Sequence, residues 1–151
     1  MSPARISTSL LLLLLVGIGS SCERDTGVTL EHSNPPKFHL TGSGQLAMLR
    51  MQGQKVRESP PIEASIVWEI SSGADRFGGK HLEELESITY GEIPTGYVQK
   101  YPEQGKAPPL VDGQHYGVFF DTVNGNGAHV YFTYRDGRII ETDFRGGEVS
   151  R

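Results

Sequence analysis

The chain of 151 residues carries 14 Lys and Arg against 18 Asp and Glu, which gives a formal net charge of −4. An acidic chain repels nucleic acids, and no basic cluster offsets this average, so we expect no nucleic-acid partner. The single cysteine, Cys22, excludes an internal disulfide, and the length is that of one domain with a segment in front of it.

The first predicted segment, residues 1–21, is a secretory signal peptide. Arg5 supplies a positive charge, residues 10–16 are a purely aliphatic run, and small residues precede the expected cleavage point between Ser21 and Cys22. The apolar stretch is shorter than the ~20 residues that a membrane-spanning helix needs, which excludes a span. Cleavage removes Arg5 and therefore makes the remaining chain more acidic.

A cleaved chain that begins with Cys22 resembles the bacterial lipoproteins, in which the thiol of the first residue carries a diacylglycerol. The resemblance implies a lipid anchor, with palmitate or a similar acyl chain, in the bacterial cell envelope and there in the outer membrane. The rest of the protein would lie in the periplasm or at the cell surface. Two or more acyl chains hold a protein stably at a membrane, whereas one chain is marginal. Gly19 departs from the Leu-like residue usual three positions before that cysteine, and the alternative is an ordinary free thiol.

Residues 22–37 predict a flexible tether between the anchor and the domain. The segment is polar, it ends in Asn34-Pro35-Pro36, and nothing in it repeats at the period of a helix or a strand. The alternative is a recognition segment for a partner.

The remaining sequence predicts an all-β domain over residues 38–143, followed by a tail over residues 144–151. Apolar and polar residues alternate in short runs bounded by turn residues, a spacing typical of a β-sandwich or small barrel. The runs are residues 38–40, 46–51, 66–70, 88–90, 116–122, 129–134 and 139–142.

Three connections between these runs have a sequence signature. Asn124-Gly125 predicts a hairpin with a type I′ turn, in which both central residues take positive φ. Asp136-Gly137 predicts a further turn. Only residues 80–87 have helical character, so we expect a short helix or turn there that crosses between the sheets.

Leu110, Gly113 and Tyr116 place a Leu six residues and a Gly three residues before a Tyr that opens an alternating strand. This pattern resembles the tyrosine corner of fibronectin type III and immunoglobulin-like domains. The resemblance implies a β-sandwich in which Tyr116 opens strand F and its hydroxyl bonds back to the preceding loop. Residues 129–134 would form strand G, and Trp68 would be the core tryptophan. The chain is also similar to small uncharacterised bacterial lipoproteins, a resemblance that implies no known activity.

No motif in the sequence predicts an enzyme, a cofactor site or a metal site. His81 and its neighbouring glutamates lack the second His of a zinc-binding helix. The loop over residues 121–127 lacks the terminal Glu that a calcium loop requires, and no Ser stands in a nucleophile elbow. A glycosidase needs two facing carboxylates, but no pattern pairs those available. They include Glu69, Glu141 and Asp143.

His115 and His129 offer an alternative to this interpretation. On neighbouring strands F and G they would lie roughly opposite each other, and Asp121 would supply a third ligand. This alternative is a small envelope hydrolase or a metal-binding protein. The simpler interpretation is two ordinary histidines.

The candidate binding surface is the proline-rich stretch over residues 90–109, which carries Tyr97 and Tyr101. Long loops often bind partners, and Tyr offers a large contact area. The alternative is that both tyrosines cap the end of the sandwich and pack under the loop. We therefore expect a non-catalytic binding or accessory module, held at the membrane by lipid, whose partner is an envelope protein or a glycan.

Overall fold

The computed structural model describes residues 25–54, 65–73 and 79–143. Within these ranges, nine antiparallel strands form two packed sheets, and one short helix lies outside the sheets. The predicted all-β sandwich is confirmed. The strands are β1 (Gly27–Glu31), β2 (Lys37–Thr41), β3 (Gln45–Gln54), β4 (Ser65–Ser72), β5 (Ser87–Thr89), β6 (Tyr97–Tyr101), β7 (His115–Val123), β8 (Ala128–Arg135) and β9 (Arg138–Thr142). The helix, α1, is Leu82–Leu85, on the connection that carries the chain from one sheet to the other.

The strand order is compatible with an immunoglobulin-like sandwich. One sheet has the order β1-β2-β5, and the other has the order β6-β4-β3-β7-β8-β9. Strands A, B and E of such a domain share one sheet and strands C, F and G share the other, which corresponds to β1-β2-β5 and to β3-β7-β8. Beyond this common set, β4 and β6 extend the larger sheet on one side and β9 extends it on the other.

The core consists of aromatic and aliphatic side chains that point between the two sheets. Phe38 of the small sheet meets Phe120 of the large sheet edge to face, with ring centroids 5.7 Å apart. Trp68 is fully buried on β4 and contacts Tyr90 in the same geometry at 5.4 Å. Such offset aromatic pairs contribute beyond their buried area, so they fix the two sheets against each other.

The tether predicted over residues 22–37 is wrong at its C-terminal end, because Gly27–Glu31 is strand β1. This strand pairs with β2 along its whole length and places Leu30 opposite Phe38. Leu30 is 5 % exposed and Val28 packs against the core. The alternation of Val28 and Leu30 covers only two apolar positions, too few to stand out in a polar segment. The described part of the sandwich therefore begins before Phe38.

The stretch over residues 90–109 is not one long loop either, because it contains β6. Tyr97–Tyr101 pairs with β4 and forms one edge of the large sheet. Prolines on both sides of this strand are typical of loops, and they obscure its short alternation in the sequence.

The predicted hairpin between β7 and β8 is present, but its turn is not the predicted two-residue type I′ turn. Four residues, 124–127, connect the strands, and among them only Asn124 has a positive φ, at 59°. The two-residue turn with positive φ at both positions is Asp136-Gly137, between β8 and β9. Both residues there take the left-handed conformation that a type I′ turn requires.

Candidate functional site

The three residues of the predicted tyrosine corner form a structural unit. Tyr116 is buried, and its hydroxyl accepts a hydrogen bond from the Val111 N–H at 2.8 Å and lies 3.3 Å from the Gln114 side-chain oxygen. Burial raises the pKa of Tyr116. Gly113 has a φ of 74°, which favours glycine, and Leu110 packs against the core. This unit fixes the loop that leads into β7, so its role is in the fold.

Tyr97 is not part of a binding surface. It is 7 % exposed, and its hydroxyl donates to the Leu46 carbonyl at 2.7 Å and accepts from the Lys80 N–H at 3.1 Å. Two backbone groups of neighbouring segments are thereby satisfied by one buried side chain. Tyr101, at the other end of the same strand, is 44 % exposed. The structure therefore separates the two tyrosines, and only Tyr101 is available to a partner.

Five side chains lie in one line across the large sheet, and we call this line the transverse row. Strand register sets each member directly opposite the next. The members in order are Tyr101 on β6, Glu69 on β4, Arg50 on β3, Phe119 on β7 and His129 on β8. Their sequence neighbours on the three central strands are buried in the core, so these alternate positions face outward.

The centre of the transverse row is an ion pair beside a shallow depression. The Arg50 Nε donates to Glu69 Oε2 at 2.6 Å, and its Nη2 lies 3.6 Å from the Met48 sulfur. The side chain of Arg50 is 36 % exposed and that of Glu69 is 15 % exposed, so the pair is accessible mainly through Arg50. A depression of about 220 Å³ adjoins the pair and is lined by Arg50, Gln52, Phe119 and Asp121.

An aromatic cluster on β7 and β8 continues the transverse row. Tyr131 stands at its centre, with its ring centroid 5.9 Å from Phe119, 5.3 Å from His129 and 5.9 Å from His115. Gly117 lies opposite Tyr131 and leaves room for these rings, because a Cβ there would come within 2.9 Å of the Tyr131 ring. A glycine in the middle of a strand is thus explained by aromatic rings that lie over it.

His115 and His129 do not lie opposite each other, contrary to the expectation for a shared metal site. His115 pairs with Thr133 and His129 pairs with Phe119, which places them four residues apart, roughly 13 Å along the strands. His129 is exposed, whereas His115 is 2 % exposed. Among the described residues, no group of three or more His, Cys, Asp or Glu side chains is close enough together to hold a metal ion.

The buried His115 is held by hydroxyl groups. Its Nδ1 lies 3.3 Å from the Thr133 hydroxyl and 3.2 Å from the Thr142 hydroxyl. Its Nε2 has no hydrogen-bond partner within the described ranges. Burial lowers the pKa of His115, and the charge of Asp143 opposes this shift. The neutral imidazole is therefore the form that fits this position.

A second concave surface, which we call the proline cleft, lies at the end of the sandwich near the tyrosine corner. It has a volume of about 420 Å³, and its walls include Tyr90, Pro108, Pro109 and Tyr134. The Tyr90 hydroxyl donates to the Pro108 carbonyl at 2.6 Å, and the Tyr134 hydroxyl accepts from the Asn34 side chain at 3.2 Å. Burial raises the pKa of Tyr90. The two tyrosine hydroxyls of this cleft are thus bonded within the protein.

The remaining candidates do not combine into a site in the described structure. His81 bonds to Gln45 at 3.3 Å, and α1 exposes its glutamates to solvent. Ser21 and Cys22 lie outside the described residues. None of the helices in the described part of the chain is long and apolar enough to cross a membrane.

Comparisons with models of protein families, with curated proteins and with solved structures find no match to this chain. The function therefore has to be argued from the transverse row itself. Sequence reasoning missed Arg50 and Phe119, because neither belongs to a motif. The signal that was available is the alternation of β3 and β7, which implies an outward face once both strands are placed in one sheet.

Proposed function

We propose that this protein is a lipid-anchored, non-catalytic binding module of the bacterial cell envelope, built on an immunoglobulin-like or fibronectin type III-like sandwich. The transverse row is the binding surface. The observation that carries this proposal is that two aromatic side chains, an ion pair and an exposed His stand in register across five strands of one sheet. Aromatic residues and Arg are enriched where proteins bind partners.

The transverse row is better suited to a partner than the proline cleft. The side chain of Arg50 is 36 % exposed, and Tyr101 is 44 % exposed. In the cleft, the Tyr90 and Tyr134 hydroxyls already take part in internal hydrogen bonds. A partner at the row gains new contacts, whereas a partner in the cleft competes with existing ones.

The contacts of Glu69 support binding over catalysis. A general acid or base must exchange a proton with its substrate, so its carboxyl has to be free to contact that substrate. The Glu69 carboxylate is already engaged by a short hydrogen bond that it accepts from the Arg50 Nε. The pair therefore presents fixed hydrogen-bonding groups to a ligand.

The lipid anchor is tested by metabolic labelling of the producing bacterium with an alkyne analogue of palmitate. We expect label on the wild-type chain and in the membrane fraction, and neither for Cys22→Ser, because the thiol is the proposed site of acylation. Ser21→Ala keeps a small residue before the cleavage point and serves as the control. A Cys22→Ser chain that stays in the membrane would contradict the anchor.

The binding role is tested by crosslinking in native membranes followed by mass spectrometry. We expect a reproducible set of crosslinked partners for the wild type and a reduced yield for Tyr101→Ala. Val111→Ala is the matched control, because Val111 is 57 % exposed and lies in the loop before β7, outside the row. Equal yields for both variants would show that partners bind elsewhere on the protein.

A further inference from the structure

The transverse row presents an aromatic ring on each side of a hydrogen-bonding pair, with its members at the spacing of β-strands. Tyr101 and Phe119 supply aromatic surface, while Glu69 and Arg50 between them supply an acceptor and a donor. We propose that the transverse row binds a linear, uncharged glycan chain. This inference rests on the proposed function, since it names the partner class of the same surface.

The chemistry of a sugar ring fits these side chains. A pyranose has an apolar face of C–H groups, which stacks on an aromatic ring, and an edge of hydroxyls, which bond to planar polar groups. Phe119 provides the ring at the depression, and Arg50, Gln52 and Asp121 provide the planar polar groups around it. Ligand sites commonly combine an apolar surface with a few placed polar groups in this way.

A peptide partner is less suited to this position in the fold. Extended peptides bind by adding a strand to a sheet edge, where backbone groups are unpaired. The central members of the row lie on β4, β3 and β7, each of which pairs with a strand on both sides. The backbone groups of these strands are paired within the sheet, so a ligand at the centre of the row can contact only their side chains. A glycan can be recognised by side chains alone.

The charges at the row favour an uncharged chain over an anionic one. Arg50 and Glu69 neutralise each other in their ion pair, and Asp121 adds a negative charge beside them. The whole chain is acidic as well, with a formal net charge of −4. An anionic polymer would therefore meet repulsion at this surface.

The length of the row sets the length of glycan that it holds. Neighbouring strands lie about 4.8 Å apart, so four intervals from Tyr101 to His129 span roughly 19 Å. An interval of this size is close to the length of one sugar ring in an extended chain. We therefore expect affinity to rise with each added ring and to level off at roughly four to five rings.

The test is isothermal titration calorimetry with the full chain in a detergent that contains no sugar, using cellohexaose, chitohexaose and mannohexaose as probes. We expect at least one of them to bind. We expect Tyr101→Ala and Phe119→Ala to bind it roughly tenfold more weakly, which corresponds to the loss of one aromatic contact. Val111→Ala is the control and should bind like the wild type. Circular dichroism of each variant establishes that its fold is retained.

Three outcomes would overturn the glycan assignment. They are no binding of any of the three probes, equal binding by Tyr101→Ala, and tighter binding of the anionic polygalacturonate than of the uncharged chains. The crosslinking experiment separates these from failure of the binding role. Protein partners that depend on Tyr101, without glycan binding, would keep the row as a binding surface and reject its assigned ligand.

Discussion

At the scale of single residues, the same residue type serves opposite purposes at the two ends of β6. Tyr97 is buried and bonds to two backbone groups, whereas Tyr101 is exposed in the transverse row. We expect Tyr97→Phe to lower the free energy of unfolding by about 1–3 kcal/mol, because it leaves a buried carbonyl and a buried N–H without their partner. Tyr101→Phe removes an exposed hydroxyl and should leave stability unchanged. Urea unfolding followed by fluorescence measures both, and equal stabilities would contradict the role of the Tyr97 hydroxyl.

His115 makes the stability of the fold depend on pH. Burial lowers its pKa in the folded protein, although Asp143 opposes the shift. As pH falls below about 6.5, the unfolded chain takes up a proton that the folded chain resists. The contribution of His115 to the free energy of unfolding should therefore be fully retained above that pH and should be lost as pH falls towards the lowered pKa.

The measurement is the urea midpoint of the wild type and of His115→Gln between about pH 7 and about pH 5, the window in which the unfolded imidazole protonates. We expect a shallower decrease for His115→Gln, because Gln can still bond to the Thr133 and Thr142 hydroxyls but does not titrate. His129→Gln changes an exposed histidine and is the matched control, with the slope of the wild type. The same slope for all three proteins would show that His115 does not contribute.

At the scale of strands and turns, the sequence predicts the elements that have a local cause. β7 and β8 alternate over long runs and are joined by a turn rich in Asn and Gly, so the predicted hairpin is present. The turn types differ from expectation because Asn-Gly and Asp-Gly both favour positive φ. A type I′ turn also requires a two-residue connection, and only the connection at Asp136-Gly137 has that length. β1 and β6 were missed because their support comes from a neighbouring strand. The local sequence of β1 or β6 does not indicate which strand it pairs with.

The transverse row illustrates the same limit for the site. Tyr101, Glu69 and His129 are each noticeable in the sequence, but they are separated by 28 to 60 residues and share no motif. Their alignment depends on four strand registers, one of which contains a bulge beside Glu69. A register shift of one residue would turn a side chain to the other face of the sheet. The row is therefore a property of strand pairing, which the sequence pattern alone does not determine.

The placement of β1 in the sandwich has a direct consequence for stability. Leu30 is buried opposite Phe38, whereas Thr29 beside it is exposed. We expect Leu30→Ala to cost about 2–4 kcal/mol of unfolding free energy, because it removes buried methyl groups and leaves a cavity. Thr29→Ala, on the same strand, should change stability by less than about 0.5 kcal/mol. Thermal and urea unfolding measure both variants. No effect of Leu30→Ala would restore the tether that the sequence suggested.

At the scale of the whole molecule, the described chain enters the sandwich at one end, and the proline cleft lies at the other. The Asn126 side chain, in the β7–β8 connection, donates to Asp25 Oδ1 at 3.2 Å. β1 then runs away from this end toward Asn34 and Pro35, which line the cleft. Cys22 precedes Asp25 by three residues in the sequence, and three peptide links reach no further than roughly 11 Å. A lipid on Cys22 would therefore hold the Asn126 end of the sandwich close to the membrane surface.

This geometry predicts how a domain anchored through Cys22 would be oriented. We expect a fluorophore on Asn126→Cys to be quenched by nitroxide lipids, and one on Arg135→Cys, at the far end of β8 and roughly 23 Å from its first residue, to escape quenching. Both positions are exposed, and the proposed acylation would leave Cys22 unreactive toward the label. The strands would then stand away from the bilayer. The transverse row would run parallel to the bilayer surface, with Phe119 roughly 14 Å from the anchored end of the sandwich. A glycan chain bound there would lie parallel to the membrane. Equal quenching at both labels would mean that the domain tumbles freely on its anchor and imposes no such direction.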